Sequence, residues 1–193
     1  SGINLMNYTV EFWSNTGGMF YGLAKLSAAG IPTIAVLHGL STAGGAYQPG
    51  MSDYVIGVKK NGMAALAGPA LLKAATGEIA KNEELGGSEM HSRVTGLVEY
   101  LADDDDHAIE IVRDLINKID WNSKILKRES IKFQEPIYDC GEIIGVVPID
   151  YKVPYDVREL IARIVDGSDF MDFKPQYGVS TVCVHTKING FAC

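Results

Sequence analysis

The chain has 193 residues, 47% hydrophobic and 21% charged, an ordinary globular balance that excludes disorder as the main state and gives length for one domain or one and a half. Its 17 Lys and Arg against 24 Asp and Glu leave a net charge of -7, which repels a phosphate backbone and argues against nucleic acid as a partner. Cys140, Cys183 and Cys193 form no Cys-x-x-Cys pair and fit a reducing, cytoplasmic setting with neither a zinc site nor a disulfide framework, while the apolar runs fall far short of the ~20 residues that cross a bilayer.

Residues 1–18 are polar and aromatic, carry Asn4, Asn7, Asn15 and a Gly17-Gly18 pair, and are expected to be loop. Phe20, Leu23, Ala24 and Leu26 then make a helical stripe over residues 19–29, closed by Gly30 and Pro32. The apolar, partly β-branched run 33–37 has the length of a fully buried strand and ends at His38-Gly39. Residues 54–58 and 63–67 are further strand candidates, separated by a polar turn at 59–62. Gly68-Pro69 opens a helix, because proline suits a first helical position whose N–H would be unpaired anyway, and Thr76-Gly77 closes it. The break at 85–88 leads into a stretch expected to be mostly loop as far as Gly96.

Asp103 to Asp106 precede Ala108, Ile111, Val112, Leu115, Ile116 and Ile119, an amphipathic helix with its acids at the start, where the helix dipole favours negative charge. Residues 121–139 are irregular. Gly145, Pro148 and Pro154 punctuate the approach to a helix over 156–166, and a domain junction is placed there, near residue 150. Two strands, 181–185 and 188–193, are expected around a turn at Thr186-Lys187.

The richest segment runs from Ile34 to Tyr47, where a buried strand passes through Ser41-Thr42-Ala43-Gly44-Gly45 into a short helix. Consecutive glycines let backbone approach a ligand closely, and at a helix N-terminus their amides are unpaired. A thioester oxygen placed against them would be stabilised as it becomes an enolate, without any side chain. The pair alone fits equally well with close strand-helix packing. Gly39-Leu40-Ser41-Thr42-Ala43 approximates a nucleophile elbow with Ser41 as nucleophile and His91, His107 or His185 as base, but its fifth residue is Ala43, and a serine before a helix is more often a turn or cap residue. An EF-hand loop from Asp103 would need glycine and glutamate where Ala108 and Asp114 stand, so no metal is expected in this segment. Lys59, Lys60, Lys73 and Lys81 serve solubility, Lys73 alone being a candidate for coenzyme A phosphates.

The wording from His38 through Gly44-Gly45-Ala46-Tyr47 to Tyr54 resembles the carboxyltransferase subunits of biotin-dependent acyl-CoA carboxylases. The likeness continues in order through the segments 68–78, 84–91, 145–148, 154–159 and 164–168, covering nearly the whole chain. It is nearest the methylcrotonoyl-CoA carboxylase type, although residues 63–67 depart from the bulkier wording usual there. The resemblance implies an α/β, crotonase-like fold, a spiral of small β-sheets with surrounding helices. It implies that residues 1–150 are part of the N-terminal carboxyltransferase domain, which handles acyl-CoA, and that residues 151–193 begin a C-terminal domain cut short here. It also implies transfer of a carboxyl group from carboxybiotin to an acyl-CoA, with Gly44 and Gly45 as the oxyanion pair and Ala43, Ala46, Tyr47, Gly68, Pro69 and Lys73 along the substrate. Biotin would be carried on a partner subunit or domain, its ureido oxygen held by a second amide pair in another subunit's second domain. The implied partners are a biotin carboxylase, a biotin carrier subunit and further copies of the chain through second-domain contacts, in the cytoplasm or, in a eukaryote, the mitochondrial matrix. Alternatives are a non-catalytic acyl-CoA-binding or assembly fragment and a decarboxylase of the same fold.

Overall fold

A computed structural model describes residues 9–119, 121 and 133–193. In chain order the elements are helix α1 (Val10–Ala28), strands β1 (Ile34–Leu37) and β2 (Leu40–Thr42), α2 (Gly44–Met51), β3 (Tyr54–Val58), β4 (Met63–Ala65), and α3 (Pro69–Thr76). The short helices α4 (Asn82–Gly86) and α5 (Ser88–Met90) and a π turn (His91–Thr95) follow, then β5 (Tyr100–Ala102) and α6 (Asp105–Ile119). The remainder holds α7 (Ile143–Val146), α8 (Val157–Ile161), β6 (Phe170–Phe173), β7 (Cys183–Ile188) and β8 (Phe191–Ala192). Small sheets with helices around them are the α/β class expected. The chain divides into two compact units, Ser1–Val112 and Arg113–Cys193; the junction placed near residue 150 from the sequence lies inside the second.

The first unit is built on parallel strands. β3 lies between β1 and β5, with Ile34 opposite Tyr54 and Ile56 opposite Tyr100, and a second pair sets β2 beside β4, Ser41 opposite Ala64. Parallel neighbours need a crossover, and α2 supplies the one from β1 to β3. Asp53 fastens the start of that pair, its carboxylate accepting from the Thr33 amide at 2.8 Å while the Asp53 amide donates to the Thr33 carbonyl at 3.0 Å. Leu37, Val55, Ala64 and Val98 form the buried cluster, with Ala46 packed on it.

Two sequence expectations are corrected in this unit. Residues 10–18 continue α1 instead of forming loop: the helix-weakening cost of Gly17-Gly18 is overridden where α1 meets α2, Phe20 standing edge-on to Tyr47 at 5.7 Å between ring centroids. Residues 1–8 lie outside the described residues. The helix stop at Gly30 holds, as a Schellman motif in which the Ile31 amide donates to Leu26 and the Gly30 amide to Ser27, with Gly30 at φ 69°. The stretch to Gly96 is helical turns, not loop. Its glycines permit contact: a Cβ on Gly86 would lie 2.3 Å from the Ala64 carbonyl oxygen. The buried Ser88 hydroxyl donates to the Gly62 carbonyl at 3.0 Å.

The second unit is antiparallel, β7 pairing with β6 and β8. Its turn is not at Thr186-Lys187, which sit inside β7, but at Asn189-Gly190, whose φ values of 52° and 78° mark the two-residue I′ turn that matches strand twist. The Asp166 carboxylate accepts from both turn amides, at 2.7 and 2.6 Å. The helix expected over 156–166 is only Val157–Ile161, capped by Asp156, whose side chain accepts from the Arg158 amide at 3.0 Å. Residues 120 and 122–132, most of the stretch read as irregular, lie outside the described residues.

Candidate active site

β2 passes into α2 through one residue. Ala43 has φ 49° and ψ -119°, a conformation rare for a residue with a side chain, and its amide is shared between the carbonyls of Ala65, at 3.0 Å, and Leu66, at 3.1 Å. These acceptors lie at the end of β4, so the β2-β4 pairing holds the turn shut. Gly44 is then the first helical residue and Gly45 the second, where an amide finds no acceptor one turn back. The Ala46 amide already turns inward to Ala43, at 3.0 Å. Gly45 lines a cleft of about 510 Å³ with Ser41, Gln48 and Pro49 of the same segment, β1 residues 34–37, and Met19 and Leu23 of α1; Gly44 is exposed. A helix that starts with two glycines offers backbone donors and no side chain, suited to an oxygen that gains negative charge.

The sequence-expected residues fall around this turn unequally. Ala43 is its apex, Ala46 faces the core and Tyr47 is 60% exposed beside Phe20. Gly68 and Pro69 are the cap and first residue of α3, which leaves the end of β4 as α2 leaves the end of β2. Lys73 is exposed in the last turn of α3, away from that start. Ser41 is not at the apex of an elbow. It lies within β2, and the apex residue has only a methyl group, so the strand-turn-helix geometry is present without a nucleophile.

The other candidates have structural partners. Asp104 caps α6 by accepting from the His107 amide at 2.8 Å, and Lys59 pairs with Asp103, whose carboxyl is held below the usual carboxylate range chiefly by that hydrogen bond. Among the described residues no group of three or more His, Cys, Asp or Glu is placed to hold a metal, and no helix is long and apolar enough to cross a membrane. Sequence reasoning passed over the role of His91: its Nε2 lies 2.7 Å from the Ala64 carbonyl oxygen and its Nδ1 2.8 Å from Thr95 Oγ1. The spacing Gly86-Gly87-x-x-x-His91 was the available signal.

The family model described as carboxyl transferase domain matches residues 1–193. A probable biotin-dependent acyl-coenzyme A carboxylase beta2 subunit of Mycobacterium tuberculosis is 50% identical over 181 residues, 94% of this chain and 34% of that protein. The biotin-dependent 3-methylcrotonyl-coenzyme A carboxylase beta1 subunit of the same organism is 46% identical over 180 residues, 90% of this chain and 33% of that one. Among solved structures, transcarboxylase 12S with hydrolysed methylmalonyl-coenzyme A bound superposes with a TM-score of 0.83 at 34% identity, covering 100% of this chain and 38% of that one. The chain thus spans about a third of the length of the curated relatives it matches.

Proposed function

Because the chain belongs to the carboxyl transferase domain family, we propose that it carries the acyl-CoA half of a site transferring a carboxyl group from carboxybiotin to an acyl-CoA, a methylcrotonoyl-CoA-like substrate being favoured. The observation that carries this is the helix start at Gly44-Gly45, two amides without an intrahelical acceptor beside a cleft. The thioester oxygen of the substrate sits against them. As the acidic carbon gives its proton to the ring nitrogen of biotin, freed of its carboxyl group, charge moves to that oxygen, and the amides hold it without having to reorganise. Ala43 keeps them aimed, because its own amide is committed to the end of β4. Ala46, Tyr47, Gly68 and Pro69 flank the coenzyme, and Lys73 reaches its phosphates.

Biotin supplies the carboxyl group. It would be carried on a partner subunit or domain, its ureido oxygen held by a second amide pair in another subunit's second domain. The complete protein works with a biotin carboxylase and a biotin carrier subunit and assembles with further copies of itself; the relative named for its hexamer assembly supports the last point. Its compartment is the cytoplasm, or the mitochondrial matrix in a eukaryote.

The test compares Gly45→Val with Ser41→Ala in the complete subunit, supplied with a biotinylated carrier. Valine crowds the thioester oxygen and disfavours the donor geometry, so carboxyl transfer falls by about 10²- to 10³-fold, while Ser41→Ala stays near wild type, folding being checked by an unfolding curve. A dead Ser41→Ala beside an active Gly45→Val would assign the site to a hydrolase. Acyl-CoA binding with no turnover by the complete protein would mark a non-catalytic scaffold.

A further inference from the structure

We propose that His91 is a positioning residue of the acyl-CoA site, acting through β4 to fix the turn that aims the Gly44 and Gly45 amides; this rests on the oxyanion role just assigned to them. His91 opens the π turn at the end of α5. Such turns interrupt regular helical bonding and occur often at functional sites. Here the turn brings Thr95 onto the ring, with Oγ1 2.8 Å from Nδ1. A carbonyl oxygen only accepts, so the 2.7 Å contact with Ala64 requires the proton on Nε2. Both ring nitrogens are therefore committed, and His91 is not free to act as a base on substrate.

Its target lies on the side of β4 away from β2, where Met63 also bridges to Gly87. β4 has three residues and one strand partner. On the side facing β2, Ala65 and, just beyond the strand, Leu66 receive the Ala43 amide. On the other side the Ala64 oxygen meets His91, and Gly86 packs so closely that a Cβ there would come within 2.3 Å of the same oxygen. β4 is thus clamped between a histidine and the apex of the active turn. A sideways shift of the strand passes to Ala43, whose positive φ leaves little conformational freedom to absorb it.

The experiment uses the complete subunit with its biotinylated carrier. Glutamine can place its side-chain amide near the position of Nε2, whereas asparagine reaches only that of Nδ1. His91→Ala and His91→Asn are expected to lose on the order of 10²-fold in kcat, the scale of a small misplacement remote from the chemistry, with KM for acyl-CoA little changed and His91→Gln close to wild type. The second readout is the infrared carbonyl stretch of a ¹³C-labelled thioester bound to each variant: lowered in wild type and His91→Gln, relaxed in His91→Asn. Equal kcat per folded molecule in all variants, or a glutamine no better than asparagine, overturns the proposal. A lowered stretch in a wild type that transfers no carboxyl group would defeat the carboxyl-transfer assignment while the stretch still judges His91. No lowering in wild type removes the oxyanion pair and His91's role with it.

Discussion

Residues 1–112 bury Val55, Ile56, Val98 and Ala102 at 0 or 1% exposure, with Leu37, Met63 and Tyr100 beside them. Among the described residues of 113–193, the buried apolar side chains are Leu115, Ala162 and Val165. Charge does more there. Arg158 donates to both carboxylate oxygens of Asp172 at 3.0 Å, Arg163 pairs with Glu142 and Glu159, and the buried Lys118 meets Asp169. The positive-φ turn at Ala43 is therefore seated on apolar close packing, which does not weaken with salt, and the region with the more open framework carries none of the proposed oxyanion residues.

The strongest way to break this contrast is Gly62→Ala. The new methyl would lie 2.1 Å from the Leu37 oxygen and 2.3 Å from Ser88 Oγ, so the loss should exceed the about 1–3 kcal/mol usual for overpacking; an unfolding curve within experimental error of wild type would refute tight packing of the first unit. Next comes Arg158→Leu. The pair it removes is partly exposed, so about 1 kcal/mol is expected, and hydrogen exchange at β6 should quicken in salt more than exchange at β3. Equal salt response at both strands would erase the distinction. The smallest effect concerns His185, half-buried against Phe173 at 5.6 Å, whose pKa burial pushes below the ordinary histidine value. With the folded pKa lowered, the unfolded chain binds more protons. The contribution is intact above about pH 6.5 and is lost as pH falls below it. His185→Phe should flatten that slope in a pH series of unfolding midpoints.

What could be read in the sequence followed how local the signal was. β1 and β3 were legible because an apolar, β-branched run between turn residues admits little else, and α3 because Pro69 and Gly77 mark its ends. α1 was missed over Val10 to Gly18 because two glycines outweigh local propensity until Phe20 meets Tyr47. The final hairpin was misplaced because Asn189-Gly190, the stronger turn signal, was passed over for Thr186-Lys187. At the candidate site, the strand-Gly-Gly-helix order announced the helix start. The hold of β4 on Ala43 was invisible, since it depends on register between strands far apart in sequence, and the contact of the His91 ring with Ala64 left only the spacing from Gly86-Gly87 as a local trace. The family-like segments 154–159 and 164–168 became intelligible only with coordinates: Asp156 caps, Arg158 clamps Asp172, and Asp166 binds the hairpin turn.

The two-residue loop at Asn189-Gly190 also sets a clock. β7 and β8 can pair as soon as that short stretch bends, within microseconds for an ordinary hairpin, whereas β1 waits for the chain to travel through β2 and α2 before β3 arrives, and β3 waits longer for β5. Parallel order makes the first unit the late one, since closure entropy is spent before any distant contact repays it. The turn at Ala43 that starts the helix at Gly44-Gly45 therefore closes only after β4 has docked. In pulse-labelled refolding, protection at Val55 and Ile56 should trail that at Thr186, whose amide donates to the Cys193 carbonyl across the hairpin at 3.0 Å, and simultaneous protection would show that the crossover closes as fast as the hairpin.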